Sequence, residues 1–502
     1  MNSKLLMRVI LVVLALVTLL SFTACNKPSG GETPTDAPTD GPEPPTDDPE
    51  TPTTPENEGG PDLPKETLGG EFKVYIRAMG QDQVNYSSEL FVGYSLGASP
   101  TSVERAVYER MSMVAEEYGV IFDVQTKDGG LDSTVIDTSS KTGTDVYDLV
   151  VDHGRFMFNY ANKNLLLDYA DLPYVDTNQP WWNQEANETF RTAGGKLFTM
   201  TGDISYLSVG CAFAMFFNKD IIEDIPELKS PYQLVYADEW TFENFETYVT
   251  TADSNMDGDN SGDPTTDTFG YATAWWRGPV QALYSTGERV MIRKNNEWRF
   301  TLNKDICNRM FFDYRELLFN SGVAFLKRSD KYIDVQQAFM SDQVAFFDDN
   351  LHAASSFKGS DLNFGLLPWP KYNDEVEEYY SAVDAGTNLY GVLRNTSEAN
   401  ARRVSIVLEA LAYYGSRDVL PFYFDTILSY QYLKDDDSIQ MLHIIHENLV
   451  LDLGYFMGEL ESTFRNAVIK TDASVSLSTE VEAVLGSAIE FMEKWDALDK
   501  EE

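Results

Sequence analysis

Two kinds of residue pattern in this chain could do chemistry. The first is the acidic run DSNMDGDNSGDPTTD over residues 253–267. Asp253, Asn255, Asp257 and Asp259 occupy the first, third, fifth and seventh positions of an EF-hand-like loop, with Gly258 at the sixth, where such a loop turns sharply. A hard cation such as Ca2+ takes about six to eight oxygen ligands, and closely spaced carboxylates repel one another without a counter-ion. The twelfth position holds Pro264 in place of the bidentate Glu, so Asp263 or Asp267 must complete the shell. These residues read as a structural calcium loop, set against the plainer reading of a solvated acidic turn.

The second pattern is aromatic: Trp181-Trp182, Tyr206, Trp275-Trp276 and Trp369. A sugar ring offers an apolar C–H face and a rim of hydroxyls, which calls for a flat amphipathic side chain beside carboxylates, amides or guanidiniums. Asp203, Arg277, Asp349, Asn350 and Asp384 are the polar companions by position. For each aromatic the competing reading is core packing, the ordinary fate of tryptophan.

Catalytic patterns are weaker. Gly93-Tyr94-Ser95-Leu96-Gly97 matches G-x-S-x-G, but Pro100 follows closely where a nucleophile elbow needs a helix. No H-E-x-x-H or phosphate-loop pattern occurs. With 80 acidic residues some carboxylate pair always lies close, so the two acids of a glycosidase discriminate nothing. His443, His446 and Glu447 would share one helix face, in an order matching neither zinc-protease motif, and the structural reading is preferred. Cys211 and Cys307 are either paired or buried thiols. The net charge of −42 repels phosphate and argues against nucleic acid as a partner.

The elements that must position these residues begin after two processing segments. Lys4 and Arg8 precede an apolar stretch, Val9 to Ala24, that is shorter than the roughly 20 residues of a spanning helix; residues 1–24 read as a signal peptide. Phe22-Thr23-Ala24-Cys25 resembles a bacterial lipobox, which makes Cys25 the lipidated residue. Residues 25–67 hold about half of the chain's 21 prolines among Thr, Asp and Glu and read as a disordered tether.

Beyond the tether, strand and helix patterns alternate. Phe72, Val74 and Ile76 give a first strand, and Thr101 with Glu104 a capping box. Val146 to Val151 and Val209 to Phe217 read as strands, Gly194-Gly195 as a hairpin turn ending near Thr201, and Asn218 as a helix N-cap. Gly415 is read as a helix stop with positive φ, and Thr479 with Glu482 as a second capping box. Such alternation predicts parallel sheets covered by helices, in two units.

This order resembles the extracellular solute-binding proteins of ABC importers, the family that includes maltose-binding protein. The residues that carry the resemblance are Gly195-Lys196-Leu197, Asn218-Lys219-Asp220, Tyr147-Asp148-Leu149-Val150, Trp240-Thr241, the GLLPWP segment from Gly365 to Pro370 and the helix pattern from Thr396 to Gly415. The resemblance implies an α/β, two-lobed periplasmic-binding-protein-like fold with a hinge and an interlobe cleft. One lobe is expected from residues 68–206 and 375–430, the other from residues 207–374 and 431–502, with the C-terminal helices docking mainly on the second. Some relatives carry an EF-hand-like loop where the acidic run stands. The function implied is capture of a solute in the cleft, a carbohydrate or oligosaccharide first among the candidates, and delivery to ABC permease subunits. The protein would be a monomer, lipid-anchored at the extracellular face of a bacterial cytoplasmic membrane. An exported carbohydrate-active enzyme and a surface interaction protein are the alternatives, because one scaffold can serve different uses.

Overall fold

The computed structural model describes residues 59–78, 101–128, 130–143, 146–254, 267–295, 297–327, 333–456, 459–472 and 474–500. The leader, Cys25, most of the tether, the Gly93–Gly97 string and the interior of the acidic loop lie outside them. Among the described residues no helix is long and apolar enough to cross a membrane.

Two sheets organise the chain. The first contains β1 (Glu71–Ala78), β2 (Ile121–Asp128), β3 (Leu149–His153) and, much later in sequence, β12 (Asn388–Gly391), in the order β12-β3-β1-β2. β1 runs parallel to β2 and β3, and β12 is antiparallel to β3. The second contains β4 (Phe213–Asn218), β5 (Phe269–Ala274), β8 (Ala324–Lys327), β9 (Val344–Asn350) and β10 (Phe364–Leu367), in the order β10-β4-β9-β5-β8. Every residue of β4, β5 and β9 is buried, as expected for central strands covered on both faces. A separate antiparallel hairpin pairs β6 (Met291–Lys294) with β7 (Glu297–Phe300).

Between the sheets the chain passes through neighbouring segments. Ala212 bridges Val383, the Asp384 N–H donates to the Cys211 carbonyl at 2.9 Å, and β11 (Ser381–Ala382) pairs in parallel with β13 (Leu449–Val450). Three short extended connections side by side make a hinge, because few backbone torsions separate the two bodies there.

Local signals explain several elements. The Thr101 hydroxyl accepts from Glu104 N–H at 3.1 Å while Glu104 accepts from Thr101 N–H at 2.7 Å, the reciprocal capping box that starts α1 (Ser102–Tyr118). Asn218 accepts from Ile221 N–H at 3.1 Å and caps the turn after β4. Phe72, Val74 and Ile76 are fully buried. Cys211 and Cys307 are separate buried thiols.

Other expectations fail for physical reasons. Gly195 has φ +93°, so the tight turn exists, but its flanks form only isolated bridges, because Ala193 and Gly194 N–H donate to Asp496 and Asp499 instead of to a partner strand. The run from Val209 begins as a helical turn, Leu207–Gly210, and the strand starts at Phe213. Gly415 has φ −61° and the chain winds on into a π-helix; glycine is needed because a Cβ would sit 2.0 Å from the Asp203 carbonyl oxygen. Thr479 lies inside the last helix, which starts at Leu477. On that helix Trp495 packs edge-on or tilted near Phe158 and Phe198, at ring-centroid distances of 5.3 and 6.1 Å. His443 and His446 flank the Phe424 ring at 5.1 and 4.9 Å.

Candidate binding site

Parallel strands present their carboxyl ends at one edge of a sheet, where side chains leave the ladder and can meet a ligand. On the second sheet, β5 ends into Trp275, Trp276 and Arg277, and β9 ends in Asp348, Asp349 and Asn350. Arg277 is fully buried and forms an ion pair with Asp349. Its guanidinium also lies 5.1 Å from the Trp276 ring centre and 5.0 Å from that of Phe347. The Tyr271 hydroxyl donates to Asp348 at 3.1 Å. Burial pushes the Asp348 carboxyl up to about 6, although the Arg277 charge pulls it down. Trp275 and Trp276 remain partly exposed, and the Trp275 indole N–H is buried with no hydrogen-bond partner.

On the first sheet, β3 runs into Asp152 and His153, and Gly154 opens α2 (Gly154–Asn162). Asp152 is fully buried, accepting from His153 N–H at 2.8 Å and the Tyr160 hydroxyl at 3.1 Å, with Arg77 3.8 Å away. Arg77 lies 5.0 Å over the Phe156 ring. Burial, with Arg77 and Arg155 adding to it, holds the His153 imidazole well below the ordinary histidine range, so it is neutral. His153 pairs with Asn388 across the antiparallel ladder, which places the two side chains on one face. His153 Nε2, Arg155 Nε, Thr387 Oγ1 and Asn388 Nδ2 are buried atoms without a hydrogen-bond partner.

Asp384, on the second crossing, ties the two edges together. Its carboxyl is raised by burial, lowered by the charges of Arg155 and Arg465, and raised again by Asp349. It therefore senses one group from α2, one from α3 (Glu459–Ile469) and one from the second sheet. Arg465 stacks 4.6 Å over the Trp275 ring. Of the sequence-predicted residues, Trp275, Trp276, Arg277, Asp349, Asn350 and Asp384 are brought together here.

The others are placed elsewhere. Trp181 and Trp182 are 3% and 1% exposed, and their indole N–H groups donate to the two oxygens of Glu409, each at 3.0 Å. Trp369, 1% exposed, packs among Phe245, Tyr271 and Tyr314 in the core of the second sheet. Tyr206 lies against Tyr423 at 4.3 Å, inside the packing of the segment after Gly415. Asp203 is covered by that same segment; burial pushes its carboxyl up to about 6, and a hydrogen bond from Ser416 acts against this. Trp181, Trp182, Tyr206 and Asp203 are packing residues because the helix that carries Glu409 and its π-helical continuation cover them, and Trp369 is one because the second sheet's core encloses it. Asp253 caps the far end of its helix, with its carboxylate accepting from Gly270 N–H at 3.3 Å, and Asp267 is buried close by. Asn255, Asp257, Asp259 and Asp263 lie outside the described residues.

His153, Arg155, Thr387, Asn388 and Arg465 were not singled out from sequence. One signal was present: the apolar run from Leu149 to Val151 breaks into Asp152-His153-Gly154, a charged pair and a glycine at a strand's carboxyl end. A Cβ on Gly154 would lie 2.2 Å from the Phe456 ring, so this glycine lets the third crossing pack on the start of α2.

No protein-family model matches the chain, and no curated protein sequence does. Solved structures do. The galacto-N-biose/lacto-N-biose I-binding protein of an ABC transporter from Bifidobacterium longum, in complex with lacto-N-biose, superposes with a TM-score of 0.57 at 13% identity, over 85% of this chain and 98% of that one. The maltose/maltodextrin-binding domain from Bdellovibrio bacteriovorus, bound to maltotriose, gives 0.54 at 13%, over 84% and 100%. An ABC substrate-binding protein from Listeria monocytogenes, in complex with cycloalternan, gives 0.52 at 12%, over 85% and 99%. The chain has the two-lobed α/β fold of the ABC substrate-binding proteins.

Proposed function

We propose that the protein captures a saccharide between its two sheets and delivers it to an ABC importer. The observation that carries the reading is the pairing of two edges across a three-stranded hinge: a partly exposed tryptophan pair with Arg277 and Asp349 on one side, and buried, unpartnered polar atoms of His153, Thr387 and Asn388 on the other. Buried polar groups without partners are uncommon in folded proteins, and at strand ends that face each other across a hinge a ligand can complete their bonding. The flat indoles suit a sugar's C–H face. The three neighbours described above are themselves binding proteins in complex with saccharides, which supports the same use here. A ligand touching both edges binds the closed arrangement better than the open one, and this difference drives closure.

Transfer to permease subunits, tethering through a lipidated Cys25 at the extracellular face of the membrane, and calcium in the acidic loop belong to the same proposal. Each rests on its sequence pattern. The test is a thermal-shift screen against mono- and oligosaccharides, since a ligand that binds only the folded state raises apparent stability with the logarithm of its concentration. Recovery of the sugar intact is the result expected; its cleavage would make the protein an enzyme. A chelator that leaves the melting curve unchanged would reduce the acidic loop to a solvated turn.

A further inference from the structure

Apart from the three crossings, the two bodies also meet where the β6–β7 hairpin reaches a turn of the first. Residues 191–196 belong to the first sheet, because the chain that follows them runs beside β12: Met200 bridges Tyr390, and the Thr199 hydroxyl donates to the Tyr390 carbonyl at 2.9 Å. The hairpin belongs to the second, since it is inserted between β5 and β8. Yet Arg293 of β6 donates to the Thr192 carbonyl at 2.8 Å and to the Arg191 carbonyl at 2.6 Å.

The end of the last helix (Leu477–Ala497) completes the junction. Asp496 divides its carboxylate between the two bodies: one oxygen accepts from the Ala193 N–H at 2.9 Å, the other from the Trp298 indole N–H of β7 at 2.9 Å. Arg293 lies 3.5 Å from the same carboxylate and 4.1 Å over the Trp298 ring, so the two hairpin side chains hold one another in place. The helix end itself stays with the first sheet. Trp495 is fully buried beside Phe158 of α2 and Phe198, and Asp499 accepts from the Gly194 N–H at 2.5 Å. The junction can therefore part between the hairpin's two side chains and the first body. Arg293 and Asp496 are 21% and 27% exposed, so water takes over each bond as it breaks and the cost is modest. Buried apolar packing such as that of Trp495 offers no such exchange.

We propose that Arg293 and Trp298 form a latch between the two bodies, and that the cleft opens by releasing it from residues 191–192 and Asp496. The three crossings allow the rotation, and the latch sets how much of the time the bodies spend apart. It uses no residue of the proposed binding site, so it does not depend on what the ligand is.

Small-angle X-ray scattering of the full chain, with no saccharide added, reads the opening as a change in radius of gyration between parent and variant. Arg293→Met keeps the aliphatic stem and removes both carbonyl bonds and the ion pair; it is expected to raise the radius by about 1 Å, a few per cent for a chain of this size. Trp298→Phe keeps a ring under Arg293 and loses only the N–H, so it should raise the radius by less, in the same direction. A cooperative melt for each variant separates opening from unfolding. Should Arg293→Met not fold, Trp298→Phe decides alone. Folded variants with the parent's radius would overturn the latch and make the hairpin fixed cladding, and so would a parent whose scattering already requires the bodies to be apart. Either failure leaves the saccharide reading standing, because no saccharide takes part.

Discussion

The chain contains the dipeptide Trp-Trp twice, and the two copies have opposite fates. Trp181-Trp182 lies in the interior, each indole N–H ending on one oxygen of Glu409, so both indole nitrogens are satisfied within the protein. Trp275-Trp276 stands at the carboxyl end of β5, partly exposed, with one indole nitrogen unpartnered and two guanidiniums stacked on its rings. Aromatic content is identical. What separates these two pairs is exposure at a strand end together with whether the polar half of the side chain already has its partner.

The comparison can be broken in four places. The largest effect is expected beside the exposed pair. Asp349→Ala leaves Arg277 fully buried without its ion pair, at a cost of about 3 to 5 kcal/mol in urea unfolding. A loss under about 1 kcal/mol would mean that water replaces the carboxylate, and that this edge is wetter than described. Next is the buried pair. Glu409→Gln offers one carbonyl oxygen to two indole donors, so one N–H is stranded, at a cost of about 1 to 3 kcal/mol. No change would show that the pair does not depend on its carboxylate.

Trp275→Ala is expected to weaken a bound saccharide about tenfold while moving stability by less than about 1 kcal/mol, since the ring is only partly buried. The reverse pattern, lost stability with affinity intact, would make the second pair packing like the first.

The fourth effect is a pH dependence. Burial raises the Glu409 carboxyl to about 7, against the pull of the Trp182 and Trp181 hydrogen bonds, from a reference of 4.5. Because the folded value is the higher one, this group's contribution to stability is complete below about 4.5. It is lost as pH rises through about 7, where the buried carboxyl must ionise. Across that window Glu409→Gln should show a flatter stability profile than the parent. Parallel profiles would place the titration elsewhere.

How much of this was legible in the sequence depends on the range over which each signal acts. The alternation of Phe72, Val74 and Ile76, the Thr101–Glu104 box and the Asn218 cap are local, and the fold uses each of them. Gly415 misled because a glycine can be required by a neighbouring backbone as well as by its own φ, and the neighbour, Asp203, is more than two hundred residues away. Trp275, Trp276 and Arg277 were readable as a site candidate because one short segment carries all three. The rest of the site was not, since His153 and Arg155, Thr387 and Asn388, and Arg465 come from three distant segments joined by the antiparallel return of β12 and the docking of α3. The two tryptophan pairs could not be told apart either, because the residue that distinguishes them, Glu409, meets Trp181 and Trp182 only in the folded chain.

The most direct test of the account is the crystal structure of the protein with the saccharide that stabilises it most. The account predicts sugar density in contact with Trp275 on one edge and with His153 or Asn388 on the other. Density confined to one sheet, or seated instead in the outer groove lined by Leu167, Tyr174 and Arg402, would contradict it.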